Sequence, residues 1–187
     1  MKWLRRYVVA GAVALAGAAS APAAASADEI RLVVDISDRK LRVMDGEEVV
    51  RVYRVAVGKP AHPTPKGEFR IRRIIWNPRW VPPNEKWARN RKPRKPGDPR
   101  NPMGRVKMFF QEPDYYIHGT SDRSSLGKAA SHGCIRMANS DVIDLAKLVM
   151  RHGGEQRESS WYQRVLSRAS QSQRVHLSKP VRFVVRK

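Results

Sequence analysis

Cys134 is the only cysteine of the 187-residue chain. It lies in the run Ser131-His132-Gly133-Cys134-Ile135-Arg136-Met137, sixteen residues after a second histidine-glycine pair, His118-Gly119. A thiol becomes a strong nucleophile when a neighbouring imidazole supports its thiolate. One sulfur with two histidines nearby in sequence points to covalent acyl chemistry, which needs a nucleophile, a base, a group that orients the base and donors for an oxyanion. Cys134 is the candidate nucleophile. Either histidine can serve as base: His132 is two residues away and shares a face with Cys134 in extended backbone, whereas His118 would approach from a neighbouring strand. Gly133 permits close approach of a substrate to the backbone, whose N–H groups there are candidate oxyanion donors. Arg136, two residues further on, would point to the side of Cys134 and can grip a substrate carboxylate with both guanidinium arms. A Cys134–His118 ion pair would keep the thiol reactive below its ordinary pKa.

The elements that must position these residues are mainly strands. Ile30 to Asp35, Lys40 to Met44 and Val49 to Val57 are β-type runs with a hairpin signal at Asp45-Gly46, and Phe69 and Ile71 suggest a fourth strand, so the opening half reads as a β-meander. Val106 to Phe110 and Tyr115 to Ile117 are further strands, the second delivering His118 at its end. Asn139 or Ser140 can cap a helix carrying Val142, Leu145, Val149 and Met150 at helical spacing and ended by Gly153-Gly154. A second short helix from about Ser160 to Ala169 would turn Trp161, Val165 and Ala169 inward, and Val181 to Val185 closes the chain as a strand.

Between Arg79 and Lys107 there are ten Lys or Arg residues, two acids and six prolines, with Trp80 and Trp87 inside and Trp76 just before. Proline at that density excludes a regular helix or central strand. Residues 76–107 are expected to form a long basic lid, packed down through its tryptophans because large rings gain much from burial.

Residues 1–27 have the layout of an export signal: Lys2, Arg5 and Arg6, then an apolar run from Tyr7 to Ala19, then Ala25-Ser26-Ala27 before Asp28. The apolar run is short for a membrane span. The mature chain would start at Asp28, be exported to a periplasm or otherwise to the cell wall or medium, and keep no membrane span. The formal net charge is +20, and loss of the three basic signal residues leaves +17. Such a charge attracts polyanions. Export makes carboxylate-rich and phosphate-rich envelope polymers the expected partners in place of nucleic acid. A lone cysteine in an exported protein has no internal disulfide partner, so its retention asks for a reason other than a bridge. Zinc on Cys134, His132 and His118 is disfavoured by the ligand count and by the lack of CxxC pairs. No metal or cofactor is expected.

The same residues carry a family resemblance. Ile117-His118-Gly119-Thr120, Ser125-Leu126-Gly127 and Ser131-His132-Gly133-Cys134-Ile135-Arg136-Met137 resemble the signature of the L,D-transpeptidase (YkuD-type) catalytic domain. Gly58-Lys59 with Thr64-Pro65-Lys66-Gly67-Glu68-Phe69, Asn101-Pro102-Met103-Gly104 and Asn139-Ser140-Asp141-Val142 extend the likeness over about Ile30 to Met150. The resemblance implies a single-domain, β-sandwich-like catalytic fold over residues 28–187 with one or two short helices. It implies that Cys134 attacks a peptidoglycan tetrapeptide stem after its third residue, releases D-alanine and hands the acyl group to an amine of a second stem, forming a 3→3 cross-link. Donor and acceptor stem peptides are then the partners. His118 would be the base with the Gly119 carbonyl orienting it, His132 and Gly133 would line the site, and Arg136, with Ser131 and Thr120, would bind substrate. Water or a protein amine as acceptor would make the enzyme a stem-trimming carboxypeptidase or an attachment enzyme, and a non-catalytic basic envelope-binding module is the reading from another class. Residues 155–173 depart from the family pattern as a C-terminal insertion.

Overall fold

The structure, a computed structural model, describes residues 29–187; the signal-like segment 1–27 lies outside them. The first strands follow the alternation of the sequence. In β1 (Ile30–Asp35) and β2 (Lys40–Asp45), Leu32, Val34, Leu41 and Val43 are fully buried. The two-residue link to β3 (Glu48–Arg54) pairs Asp45 with Glu48 and places Gly46 at φ +54, a value that favours glycine.

The meander ends there. On its other side β1 pairs in parallel with β10 (Gln173–Arg186), and β10 in turn pairs antiparallel with β5 (Gly67–Trp76). The opening strands are therefore separated from β5 by the last strand of the chain. Pro180 falls where the β5–β10 register shifts, between His176 and Val181, the kind of irregular position a proline tolerates. The sheet continues from β5 through β6 (Val106–Gln111) and β7 (Tyr115–Thr120) to β9 (Ile135–Ala138). Its two ends meet: Ala56, just past β3, exchanges both backbone hydrogen bonds with Arg136 of β9, at 2.9 and 3.0 Å. The eight strands thus curl into a barrel-like sheet. A two-stranded parallel pair, β4 (Val57–Gly58) with β8 (Ala129–Ser131), lies beside the closure.

Helix α1 (Asn139–His152) presents Val142, Leu145, Ala146, Val149 and Met150, which recur at i, i+3, i+4, i+7 and i+8 and are all buried. They join Met108, Ile117, Ile135 and Met137 in one core. The expected cap is absent: Ala138 holds the N-cap position, and the Asn139 side chain instead accepts the Arg105 N–H at 2.9 Å, tying the end of the lid to the helix. Gly153 and Gly154 end the helix as expected, Gly154 at φ +77.

Helix α2 (Ser159–Ser167) forms within the expected insertion and packs Trp161 and Val165 against the core as expected, with Tyr162 more deeply buried than either. Tyr162 is its buried residue, Trp161 and Val165 are only partly covered, and Ala169 falls beyond its end. Tyr162 and Trp161 both pack on Trp76, with ring centres 5.6 and 5.9 Å away. The aromatic contacts thus add Tyr162 to the face that the spacing of apolar residues marks.

Candidate active site

Register puts the chemistry on one face of the sheet. Across β6, β7 and β9, Lys107 is opposite His118 and His118 is opposite Arg136, while two residues along Phe109 is opposite Tyr116. Alternation sends Ile117, Ile135 and Met137 to the core and leaves Lys107, Tyr116, His118 and Arg136 on the other face. Cys134 immediately precedes β9, so it falls beside Tyr116 on that face.

The turn that carries Cys134 is tightly built. Gly133 has φ +106, and a Cβ there would come within 2.7 Å of the Tyr115 ring, so only glycine fits. The buried Ser131 hydroxyl accepts the Gly133 N–H at 3.1 Å and donates to the Cys134 carbonyl. Ser131 therefore shapes the turn, and the Gly133 N–H is engaged with it at rest instead of facing a substrate. Thr120 is likewise buried, its hydroxyl accepting the Asp122 N–H at 3.1 Å to hold the turn after β7. Both hydroxyls therefore hold backbone turns beside the site.

His118 is 3% exposed, and its Nδ1 lies 2.7 Å from the Gly119 carbonyl. A carbonyl accepts, so Nδ1 carries the proton and Nε2 is the basic nitrogen. Gly119 is sterically fixed too, because a Cβ there would collide with the Asn139 Oδ1. The Pro102 carbonyl, from the lid's Asn101-Pro102-Met103-Gly104 stretch, also faces the ring. Burial, then the Arg136 cation, hold the imidazole down at about 3. It is a neutral base at physiological pH.

The partly buried Cys134 thiol donates to the Asp114 carbonyl at 3.2 Å, which requires the sulfur to keep its proton. Burial pushes the thiol up to about 11, against hydrogen bonds from the Tyr116 N–H and hydroxyl and the charges of Lys107 and Arg136. Among the described residues no hydrogen bond joins Cys134 to His118. The resting pair is a neutral thiol and a neutral imidazole, not the ion pair expected from sequence.

Among the described residues no hydrogen bond joins His132 to the sulfur. Its ring stacks on Trp87 of the lid, with centres 3.9 Å apart and planes within 12°, and meets the edge of His62 at 4.9 Å. Burial and the neighbouring Lys59 lower its pKa to about 4. The loop between β5 and β6 is packed down: Trp80 is 7% exposed and exchanges two 2.9 Å backbone bonds with Arg94, and Asn101 anchors the loop to the Pro78 carbonyl at 2.8 Å. Arg136 lies on the site face with Asp122 3.9 Å away. Sequence reasoning missed Tyr116, Lys107 and His62. The first two were visible as alternate positions on either side of Ile117 and Met108, a pattern that marks a shared face once pairing is known.

A family model described as the L,D-transpeptidase catalytic domain (YkuD) matches residues 29–170. The chain is 38% identical over 119 residues to YkuD of Bacillus licheniformis, covering 64% of this chain and 59% of that protein. It is 33% identical over 123 residues to YqjB of Bacillus subtilis, covering 63% and 65%. It thus matches less than two thirds of the length of these relatives. Among solved structures, the catalytic domain of the L,D-transpeptidase from E. faecium aligns with a TM-score of 0.54 at 15% identity, over 87% of this chain and all of that one. An L,D-transpeptidase from Mycobacterium smegmatis aligns with a TM-score of 0.51 at 17% identity, over 85% and 59%. At such identities the likeness to these structures is one of fold.

Proposed function

We propose, from the premise that this chain belongs to the L,D-transpeptidase catalytic-domain family, that it is an exported cysteine acyltransferase of peptidoglycan stems. The Cys134 sulfur attacks the carbonyl carbon after the third residue of a tetrapeptide stem while His118 Nε2 takes the thiol proton. The carbon–nitrogen bond to the terminal D-alanine then breaks, its amine leaves with that proton, and a thioester remains. An acceptor amine attacks the thioester, His118 removes the amine's proton and returns it to the sulfur, and a 3→3 cross-link results. The Gly119 carbonyl fixes the imidazole tautomer through both steps, and Arg136 receives a substrate carboxylate.

The observation that carries this reading is the shared face: a lone thiol on a glycine-shaped turn, diagonal across the β7–β9 ladder from a buried imidazole whose Nδ1–H is already committed. A hydrogen bond between the two is not required before substrate arrives, because such contacts often tighten only in the complex. Residues 1–27 supply the export signal, and among the described residues no helix is long and apolar enough to cross a membrane.

A carbapenem tests the chemistry, since its strained ring carbonyl is an acyl donor of the right kind. The protein should gain the mass of one carbapenem, and Cys134→Ala should gain none; an adduct that persists on Cys134→Ala removes the nucleophile. Tetrapeptide muropeptides incubated with the enzyme should yield 3→3 dimers and free D-alanine. Shortened monomers without dimers would make water the acceptor.

A further inference from the structure

His118 is bracketed by cations: its register partner on β6 is Lys107 and on β9 is Arg136. The next rung carries Arg73, Phe109 and Tyr116, with Cys134 beside Tyr116. The Lys107 ammonium lies 4.3 Å from the Tyr116 ring centre and 4.6 Å from that of Phe109, held over the site face by the two aromatic rings. The neighbouring cations have carboxylate partners, Arg73 with Glu112 at 2.8 Å and Arg136 with Asp122 at 3.9 Å. Among the described residues Lys107 has no carboxylate within ion-pair distance. A half-buried ammonium without a counter-ion is costly to keep, and the sulfur on which the proposed reaction creates a negative charge lies on the same face, beside Tyr116.

We propose that Lys107 is a positioning residue that acts by its charge, standing as counter-ion to the Cys134 thiolate as it forms and keeping His118 in its neutral, proton-accepting form. Its effects on the two groups have opposite uses. A cation near the sulfur favours the charged nucleophile, and the same cation near the imidazole disfavours a proton there before substrate binds. The charges facing the pair from the packed elements are Arg73 from β5, Lys107 from β6, Glu112 and Asp114 around the β6–β7 turn, and Arg136 from β9. Burial lowers the pKa of Lys107 itself and the Cys134 charge raises it, as expected of a cation waiting for that partner.

The role of Cys134 as nucleophile rests on the function proposed above, so the test reads the sulfur without any acyl donor. Alkylation of Cys134 by iodoacetamide is followed by mass between about pH 7 and 9.5, a range that spans the ordinary thiol titration. Lys107→Met is expected to react about threefold to tenfold more slowly than wild type at each pH, the net of a shift of about one pKa unit and the partly compensating gain in sulfur nucleophilicity. Lys107→Arg should restore the rate to within about twofold. Loosened packing would instead expose the thiol and speed its alkylation. Lys107→Gln carries the comparison if the methionine variant does not fold. Equal or faster alkylation in the neutral variants, or an arginine variant as slow as methionine, overturns the proposal. Failure of wild type to take a carbapenem while this pattern holds would dismiss the acyl-transfer reading alone.

Discussion

Cys134, the nucleophile of the proposed reaction, sits in surroundings that suppress its anion. The thiol is buried enough to be held protonated up to about 11, while Tyr116 gives it two hydrogen bonds that favour its anion. This balance predicts that Tyr116→Phe, which removes the hydroxyl and keeps the ring over which Lys107 sits, will form the carbapenem adduct about tenfold to a hundredfold more slowly, the worth of one hydrogen bond to a charged group. Stopped-flow measurement of adduct formation checks it; an unchanged rate would leave the hydroxyl without a part in the chemistry. Residue types and spacing made Cys134, His118 and Arg136 legible as candidates, and the pairing of β7 with β9 sets them on one face. The protonation states were not, because they depend on burial and on Lys107, which is adjacent to His118 only through antiparallel pairing across β6 and β7. The turn bonds of the Ser131 and Thr120 hydroxyls were equally hidden, since they depend on how the backbone folds back after each residue.

At the scale of elements, the lid and helix α2 are coupled. Asn77, at φ +46, reaches the Val165 carbonyl at 2.7 Å and accepts from Arg105 Nε at 3.0 Å, so both roots of the lid are tied to the insertion. Further out, the loop meets the turn before Cys134 through the Trp87–His132 stack. Aromatic pairs of this kind contribute about 0.5–1.5 kcal/mol, enough to hold a loop tip and too little to govern the fold. Trp87→Ala should therefore be cut by trypsin after Arg89, Arg91 and Arg94 several times faster than wild type, with the thermal midpoint of the remainder within a few degrees. Equal cleavage would mean that Trp80 and Asn101 alone fix the loop. Proline and charge density made the lid readable as an irregular excursion, and the tryptophans as its anchors. Which tryptophan meets which partner was not readable, since His132 and His62 come from loops more than sixty residues apart in sequence. Helix α2 is legible in place and in the inward turn of Trp161 and Val165, but the deeper burial of Tyr162 was not, because it depends on Trp76 of a distant strand.

Over the whole molecule, closure of the sheet through Ala56 and Arg136 puts β9, the strand that follows Cys134, at the seam, where the fold and the candidate site share one set of backbone bonds. That topology was hidden in the sequence, which showed strands and turns but not that the last strand would insert between the first and the fifth. One consequence is testable by pH. His118 is buried with a folded-state pKa of about 3, against 6.5 when unfolded. Between those values the unfolded chain binds the proton and the folded chain does not, so stability falls as pH drops below 6.5. Going from about pH 7.5 to 5.5 this group alone should cost about 1.4 kcal/mol, and His132, lowered to about 4, adds in the same direction with its more exposed ring screened. Asp38, Asp98 and Asp122 have lowered values and lose their contribution only in the more acidic range near their own titration. Cys134, raised to about 11, works from the other side: its contribution is complete below about 9 and is lost as the pH rises toward 11. Urea unfolding should therefore give a midpoint that is highest between about pH 6.5 and 9 and drops measurably by about pH 5.5, with a smaller drop in His118→Gln. A midpoint flat over that acid-side interval would show that the imidazole takes up a proton in the folded state, and with it the neutral base on which the catalytic scheme depends would be gone.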